Sequence, residues 1–140
     1  MRVLVVDDFE GWRQMVCHLL DNSPDMVLVD LVSDGLEAVL RAEAVQPDLV
    51  ILDLNLPSLN GIDACRRIRE LCQSTRILIL SLNSNLDVVR AAFEAGAGGF
   101  VLKTDAYLEL LAGARTVVAG RQFVSSGLAA SHRRSRGPTD

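Results

Sequence analysis

The sequence lacks any long apolar segment. No hydrophobic run approaches the roughly 20 residues that a helix needs to cross a membrane, and Met1-Arg2 leads directly into VLVV without the layout of a secretory signal. These absences favour a cytoplasmic protein that does not associate with membranes. The 140 residues are enough to bury the core of one domain.

Cysteine is also scarce. The three cysteines, Cys17, Cys65 and Cys72, are odd in number and show no CxxC spacing. This excludes a disulfide framework and a zinc site of the usual spacing. Cys65 and Cys72 fall on the apolar stripe of a predicted helix, so we expect them to be buried thiols.

Basic residues are few in the body of the chain. Residues 1–120 carry ten basic and 17 acidic groups, whereas residues 121–140 carry four arginines and one aspartate. An acidic body does not favour nucleic-acid binding. The basic stretch HRRSR is short and lies within SHRRSRGPTD, which is typical of a linker or a disordered end.

Strand-like and helix-like segments alternate along the chain. Short apolar runs predict strands at 2–6, 26–32, 49–53, 76–82 and 99–103. Helical periodicity predicts helices at 10–21, from an Asp34 cap to before Pro47, from near Gly61 to 71, at 86–95 and at 105–119. The pattern predicts an α/β fold, (βα)5, with a five-stranded parallel sheet and helices on both faces. On the last helix, Leu108, Leu111 and Val118 are expected in the core.

Polar residues stand where the predicted strands end. Asp7 and Asp8 follow the first strand, Asp53 ends the third, Ser81 lies near the end of the fourth, and Lys103 ends the fifth. Ligands of open parallel sheets bind outside the carboxyl ends of the strands, so we expect these side chains to converge.

Three converging carboxylates would repel one another, and a hard divalent cation relieves that repulsion. Mg²⁺ takes oxygen ligands and is usually held by one or two carboxylates plus phosphate oxygens. Asp8 and Asp53 are candidate direct ligands, and the main-chain carbonyl of Asn55 is a candidate third.

The same edge has the parts of a phosphate site. Lys103 can offset the charge of phosphoryl oxygens, and the hydroxyl of Ser81 can donate a hydrogen bond to one. With Mg²⁺ and Lys103 nearby, Asp53 is a candidate nucleophile that forms an aspartyl phosphate. The sequence therefore indicates a phosphoacceptor site at the end of its most apolar strand.

The stretches VLVVDD, LVILDLNLPSLNG, ILILSL and GAGGFVLK together resemble the receiver domain of two-component response regulators. The resemblance covers residues 1–122 and implies a doubly wound, flavodoxin-like sheet of strand order 2-1-3-4-5. It implies Asp53 as phosphoacceptor and Asp7 and Asp8 as the acidic pair that binds Mg²⁺. It further implies Ser81 as the switch hydroxyl, Phe100 as the switch aromatic and Lys103 as the lysine that contacts the phosphoryl group.

The resemblance also implies a mechanism and partners. A sensor histidine kinase donates a phosphoryl group to Asp53, Ser81 moves toward it, and Phe100 turns inward. The change remodels the surface formed by helix four, strand five and helix five. A phosphorylation-linked homodimer is expected. The resemblance further implies a domain that is not an enzyme beyond its self-catalysed phosphorylation and dephosphorylation.

Two features refine this picture. Leu82 stands where many receivers have a small residue, so it is expected to narrow access to Asp53. Together with TVVAGRQFVSSGLA, it resembles the LuxR-type (NarL/FixJ-like) subgroup, whose members usually carry a C-terminal helix-turn-helix domain. Residues 123–140 show no periodicity for such a domain and are predicted to be a linker or a disordered basic tail. Any DNA contact would fall to a domain absent here, and the chain is expected to be either a fragment of a transcription regulator or a stand-alone receiver.

Alternative functions remain at this level. A pseudo-receiver that binds partners without phosphorylation would have the same fold. A phosphatase of the haloacid-dehalogenase type also uses a strand-end aspartate, but it needs a second acid where this chain has Asn55. A dinucleotide-binding domain is disfavoured because VVDDFEGW has no GxGxxG.

Overall fold

The structure is a computed structural model that describes residues 1–130, in which parallel strands alternate with α-helices. The strands are β1 (Arg2–Val6), β2 (Val27–Val32), β3 (Leu49–Leu52), β4 (Arg76–Ser81), β5 (Gly99–Leu102) and β6 (Phe123–Val124). The helices are α1 (Glu10–Asp21), α2 (Gly35–Val45), α3 (Gly61–Leu71), α4 (Leu86–Glu94) and α5 (Ala106–Val118). A 3₁₀ turn, Lys103–Asp105, joins β5 to α5.

The sheet has the order β2-β1-β3-β4-β5-β6, and every neighbouring pair is parallel. The predicted α/β class and the order 2-1-3-4-5 of the first five strands are confirmed. In the described part of the chain the sheet has one strand more than predicted. The strand order reverses between β1 and β3, and a ligand site is expected outside their carboxyl ends.

Both faces of the sheet are covered by helices. All four residues of β3 are buried, which explains the continuous apolar run of this strand. Helices α2, α3 and α4 pack on one face and α1 and α5 on the other. Cys65 and Cys72 are buried on the first of these faces, as expected. Within residues 1–130, none of the helices has the length and apolar character needed to span a membrane.

Three helices begin with a side-chain cap. The Oδ1 atom of Asp34 accepts hydrogen bonds from the backbone N–H groups of Leu36 (2.8 Å) and Glu37 (3.1 Å), which confirms the predicted start of α2. Asn60 and Asn85 cap α3 and α4 in the same way. Each cap stabilises its helix by about 1 kcal/mol and orients the loop that enters from the sheet.

The prediction for α5 was wrong at Leu108, whose side chain is 85% exposed. The buried residues of this helix are Ala106, Leu110, Gly113, Ala114 and Val117. The helix is apolar on more than one side, so periodicity alone could not select the face that packs. Small residues decide it: a Cβ atom at Gly113 would lie 2.9 Å from the ring of Phe123, because α5 approaches the sheet closely there.

Residues 123–130, assigned above to a linker or tail, pack against the domain. Phe123 and Val124 pair with β5, and residues 126–130 are helical. Ser125 is fully buried: its N–H donates to the carbonyl of Phe100 (3.1 Å), and its Oγ accepts from the N–H of Leu102 (3.0 Å). Leu128 is also fully buried, in the same cluster as Phe100. The basic stretch HRRSR lies outside the described residues.

Candidate functional site

The switch in strand order brings two acidic segments together. Val6, the last residue of β1, pairs with Leu52, the last residue of β3. The chain leaves the sheet at both points, and the N–H of Asp53 donates to the carbonyl of Val6 at 2.9 Å. Asp7 and Asp53 therefore follow adjacent strands at the same edge.

The carboxylates of Asp7, Asp8 and Asp53 form an acidic cluster, in which one oxygen of each lies within 4.8 Å of the others. Asp7 and Asp53 are only 2% and 4% exposed, whereas Asp8 is exposed. The ammonium of Lys103 joins them from the end of β5. Its Nζ atom lies 2.8 Å from Asp7 Oδ2 and 3.5 Å from Asp53 Oδ2. The structure thus brings these four side chains together, as expected from their positions at the strand ends.

Negative charge exceeds positive charge in this cluster. Burial, and then the carboxylate of Asp7, raise the pKa of Asp53 to about 6. Lys103 and the backbone N–H groups of Asn55 and Leu54 lower this pKa, but they do not cancel the first two effects. Three carboxylates are therefore balanced by one ammonium, and the ionised form of Asp53 lacks part of the compensation that it would have in water.

The donor set fits a hard divalent cation. Asp7 Oδ2 is buried and accepts no hydrogen bond from residues 1–130, and the ammonium of Lys103 forms an ion pair with it at 2.8 Å. An unsatisfied carboxylate oxygen beside two further carboxylates is the kind of ligand that Mg²⁺ prefers. Asp7, Asp8 and Asp53 could hold the ion together with the main-chain carbonyl of Asn55, a residue that lines the same cavity.

The loop that carries Asp53 is held close to α3. The N–H of Gly61 donates to the carbonyl of Leu54 at 2.9 Å. A Cβ atom at Gly61 would lie 2.3 Å from the carbonyl oxygen of Asp53 and 2.5 Å from the Cα of Leu54. Glycine is thus required here by the close approach of two backbone segments. This contact fixes the backbone directly after the candidate acceptor.

The two expected switch residues lie on the neighbouring strands. Ser81 ends β4 and is fully buried, and its Oγ accepts a hydrogen bond from the N–H of Asn83 at 3.0 Å. Phe100 lies in β5, where it pairs with Ile79 of β4 and Val124 of β6. Its ring is fully buried in the cluster that α2, α3 and α4 cover. The aromatic side chain of Phe100 is therefore a buried core residue in this structure, and its role as a switch stays a prediction.

A cavity of about 350 Å³ opens beside the acidic cluster. It is lined by Asp8, Phe9, Trp12, Asp53, Asn55, Leu82 and Lys103. Phe9 and Leu82 are 62% and 63% exposed, so apolar side chains border the route from solvent to Asp53. Leu82 therefore lies at the edge of the cavity that contains Asp53, and its effect on access stays a prediction.

Sequence analysis missed one residue of this site. It placed Trp12 only on the apolar stripe of α1, but the Nζ atom of Lys103 lies 5.1 Å from the centre of the indole ring. Trp12 is the only tryptophan and Lys103 the only lysine of the sequence. That rarity is a signal that the two deserve inspection, but 90 residues separate them and no local spacing shows that they meet.

Comparison with known families and relatives agrees with this geometry. The response regulator receiver domain family matches residues 3–115. The chain is 34% identical to the nitrate/nitrite response regulator protein NarL of Escherichia coli (strain K12), over 99% of this chain and 66% of that protein. It is also 34% identical to the DNA-binding transcriptional activator DevR/DosR of Mycobacterium tuberculosis, over 94% of this chain and 60% of that protein. The chain thus spans about three fifths to two thirds of the length of these curated relatives.

Solved structures show the same similarity. A two-component response regulator of the LuxR family from Aurantimonas sp. SI85-9A1 superposes with a TM-score of 0.89 at 33% identity, with 96% of each chain covered. The response regulator domain of Thermotoga maritima CheB superposes with a TM-score of 0.79 at 32% identity, over 85% of this chain and 96% of that one.

Proposed function

The chain belongs to the family of response regulator receiver domains, and we propose on this basis that it is a signalling switch operated by phosphorylation of Asp53. The observation that carries the proposal is the acidic cluster with Lys103 at the carboxyl edge of the sheet. A buried carboxylate, two further acids and one ammonium suit the transfer of a phosphoryl group, for which catalysis is mostly positioning and neutralisation of charge.

In the proposed reaction, a carboxylate oxygen of Asp53 attacks the phosphorus atom of a phosphohistidine on a sensor histidine kinase. A P–O bond forms and the P–N bond breaks, and the imidazole leaves as a neutral ring after it takes up a proton from solvent. Only the ionised carboxylate is an effective nucleophile. With a pKa of about 6, Asp53 is mostly ionised at neutral pH.

The neighbours of Asp53 have separate roles in this proposal. Lys103 offsets the charge of the phosphoryl oxygens, and Asp7 holds the ammonium at 2.8 Å. Asp7, Asp8, Asp53 and the carbonyl of Asn55 would hold Mg²⁺, which when bound would supply positive charge that offsets the negative charge of the phosphoryl group. Leu82 narrows the route to Asp53 and slows phosphoryl exchange with small donors.

The signal would leave the site through β4 and β5, the next two strands of the sheet after β3. Ser81 turns toward the phosphoryl group, and Phe100 follows the space that the hydroxyl vacates. In this proposal the surface formed by α4, β5 and α5 has two packing states. The buried position of the Phe100 ring belongs to one of them. A phosphorylation-linked homodimer uses this bistable surface or the face of α1 and α5.

Control of transcription is the output that we propose. The regulators that the chain resembles include one named as a DNA-binding transcriptional activator. DNA contact would fall to a separate C-terminal domain of such a regulator, because residues 1–120 carry a clear excess of acidic groups. The switch would act in the cytoplasm with a sensor histidine kinase as its partner, and it would catalyse no reaction beyond its own phosphorylation and dephosphorylation.

A pseudo-receiver that binds partners without phosphorylation is the alternative function. It would retain the fold but would not need an acceptor, a lysine and two further acids in contact. The experiment that separates the two is intact-mass spectrometry after incubation with acetyl phosphate, with and without Mg²⁺. Wild type, Asp53→Ala and the exposed-site control Asp87→Ala would be compared.

The switch predicts one added phosphoryl group that requires Mg²⁺, is retained in Asp87→Ala and is lost in Asp53→Ala. If acetyl phosphate gives no adduct, a phosphorylated histidine kinase is tested as the second donor. Leu82 is expected to slow transfer from small donors, so a negative result with acetyl phosphate alone does not decide between the two functions. Absence of an adduct with both donors would favour the pseudo-receiver.

A further inference from the structure

Lys103 has a third neighbour besides its two carboxylates. Its side chain is only 5% exposed, and its Nζ atom faces Asp7 at 2.8 Å, Asp53 at 3.5 Å and the indole ring of Trp12 at 5.1 Å from the ring centre. A cation within about 6 Å of an aromatic face is attracted by the ring, and tryptophan attracts it most strongly. The ring thus contacts the ammonium that pairs with both buried carboxylates of the cluster.

An aromatic face suits this position better than a further acid would. The acidic cluster already groups three carboxylates, and the ammonium of Lys103 pairs with two of them. The indole ring attracts the ammonium without adding a net charge and without competing for a hard cation. The ring also restricts the long, flexible side chain of Lys103. Without it, the ammonium could move away from Asp53 and pair with Asp7 alone.

The first turn of α1 holds the ring in place. The Nη1 atom of Arg13 donates to the carbonyl of Asp7 at 2.7 Å, and the N–H of Arg13 donates to the carbonyl of Phe9 at 3.2 Å. These bonds connect the residue next to Trp12 with the backbone of the acidic cluster. The indole is therefore mounted on a segment that is fixed relative to Asp7.

We propose that Trp12 is a positioning residue, whose indole face holds the ammonium of Lys103 between Asp7 and Asp53. The consequence for phosphoryl transfer rests on the proposed function of Asp53. The placement of Lys103 can be tested without any phosphoryl donor, so failure of one inference is distinguishable from failure of the other.

The first test uses the single lysine and the single tryptophan of the chain. Lysine labelled with ¹³C at Cε gives one side-chain methylene signal in a proton–carbon NMR spectrum, and a nearby aromatic ring shifts its proton resonance. Trp12→Leu keeps an apolar side chain without a ring, and Trp12→Phe keeps a smaller ring. Tyr107→Leu is the matched control, because Tyr107 lies on the first turn of α5 with 72% of its surface exposed.

The Lys103 signal should move toward its value in an unfolded peptide in Trp12→Leu, move only part of the way in Trp12→Phe, and stay unchanged in Tyr107→Leu. A signal that is the same in Trp12→Leu and wild type, with both folded by circular dichroism, would overturn the proposal. So would an equal displacement in Tyr107→Leu.

The second test measures the initial rate of Asp53 phosphorylation by acetyl phosphate and Mg²⁺. Loss of a cation–π contact predicts a rate lower by about 3- to 30-fold in Trp12→Leu, with most of the loss recovered in Trp12→Phe and none in Tyr107→Leu. Equal rates in Trp12→Leu and wild type would overturn the positioning role. A wild type that takes up no phosphoryl group from any donor would instead overturn the proposed function, and the NMR signal would still decide whether Trp12 holds Lys103.

Discussion

Asp53 Oδ2 and Lys103 Nζ lie 3.5 Å apart, although β4 separates the strands from which the two residues emerge. Both side chains are 5% exposed. The pair is therefore a buried electrostatic contact across the width of one strand. It only partly offsets the burial of Asp53, because Asp7 takes the shorter distance of 2.8 Å to the same ammonium.

This arrangement predicts a pH-dependent effect of Asp53→Asn on stability in the absence of Mg²⁺. The pKa of Asp53 is raised from 3.8 to about 6, so the folded protein binds this proton more tightly than the unfolded chain. Its contribution to the free energy of unfolding is present at low pH and is lost as pH rises from about 4 to about 6. Asp53→Asn should stabilise the protein by about 1–2 kcal/mol at pH 7.5, after allowance for solvent screening, with little gain near pH 4.

Urea unfolding at the two pH values measures this difference, with Asp87→Asn as the control on an exposed carboxylate. A gain of equal size at both pH values, or a loss at pH 7.5, would show that the acidic cluster does not destabilise the fold.

If the acidic cluster holds Mg²⁺ as proposed, the ion should stabilise the wild type, because it would bind the folded cluster and not the unfolded chain. At a concentration of about ten times its dissociation constant, the free energy of unfolding should rise by about 1.4 kcal/mol. Asp8→Asn should abolish the gain. Asp63→Asn should retain it, because Asp63 lies on the first turn of α3 and is not a member of the acidic cluster. Thermal unfolding with and without Mg²⁺ measures the effect, and a full gain in Asp8→Asn would exclude Asp8 as a ligand.

Gly61→Ala should disturb the backbone of Asp53 and Leu54. The new Cβ atom would lie 2.3 Å from the carbonyl oxygen of Asp53, so the loop must shift. We expect a loss of about 1–3 kcal/mol in the free energy of unfolding and slower labelling of Asp53. In Gly11→Ala the nearest atom at 2.8 Å belongs to the exposed ring of Phe9, which can move. A loss in Gly11→Ala as large as that in Gly61→Ala would contradict the argument.

Leu82→Ala should open the route to Asp53. Because Leu82 borders the cavity and is 63% exposed, its truncation should raise the labelling rate with acetyl phosphate, by less than about tenfold, without loss of stability. Leu40→Ala on α2 is the control, since Leu40 is 69% exposed and does not line this cavity. Rates measured by intact-mass spectrometry that are equal in Leu82→Ala and wild type would rule out an access-limiting role.

Leu128→Ala tests whether residues 123–130 are part of the fold. Leu128 is fully buried, so its truncation should lower the free energy of unfolding by about 2 kcal/mol or more. Leu108→Ala should change it by less than about 0.5 kcal/mol, because Leu108 is 85% exposed. Chemical unfolding of the two variants gives the comparison, and similar values for both would show that Leu128 contributes no packing energy in solution.

Most of the sheet could be predicted because its signals are local. The run Leu49–Leu52 is apolar at every position, as is typical of a short strand buried on both faces. The cap of α2 could likewise be predicted, because Asp34 is a favoured capping residue and stands directly before the helical pattern. Where local signals were ambiguous, as on the apolar helix α5, the sequence pattern selected the wrong side at Leu108.

The sequence by itself determined the alternation of strands and helices and the placement of acids and one lysine at strand ends, because side-chain periodicity and turn chemistry act over a few residues. Only the tertiary structure decided which of these groups touch. The contact of Trp12 with Lys103 and the burial of Ser125 and Leu128 against β5 join segments far apart in the chain. Such contacts depend on how helices and strand edges pack in three dimensions, and no local pattern encodes that packing.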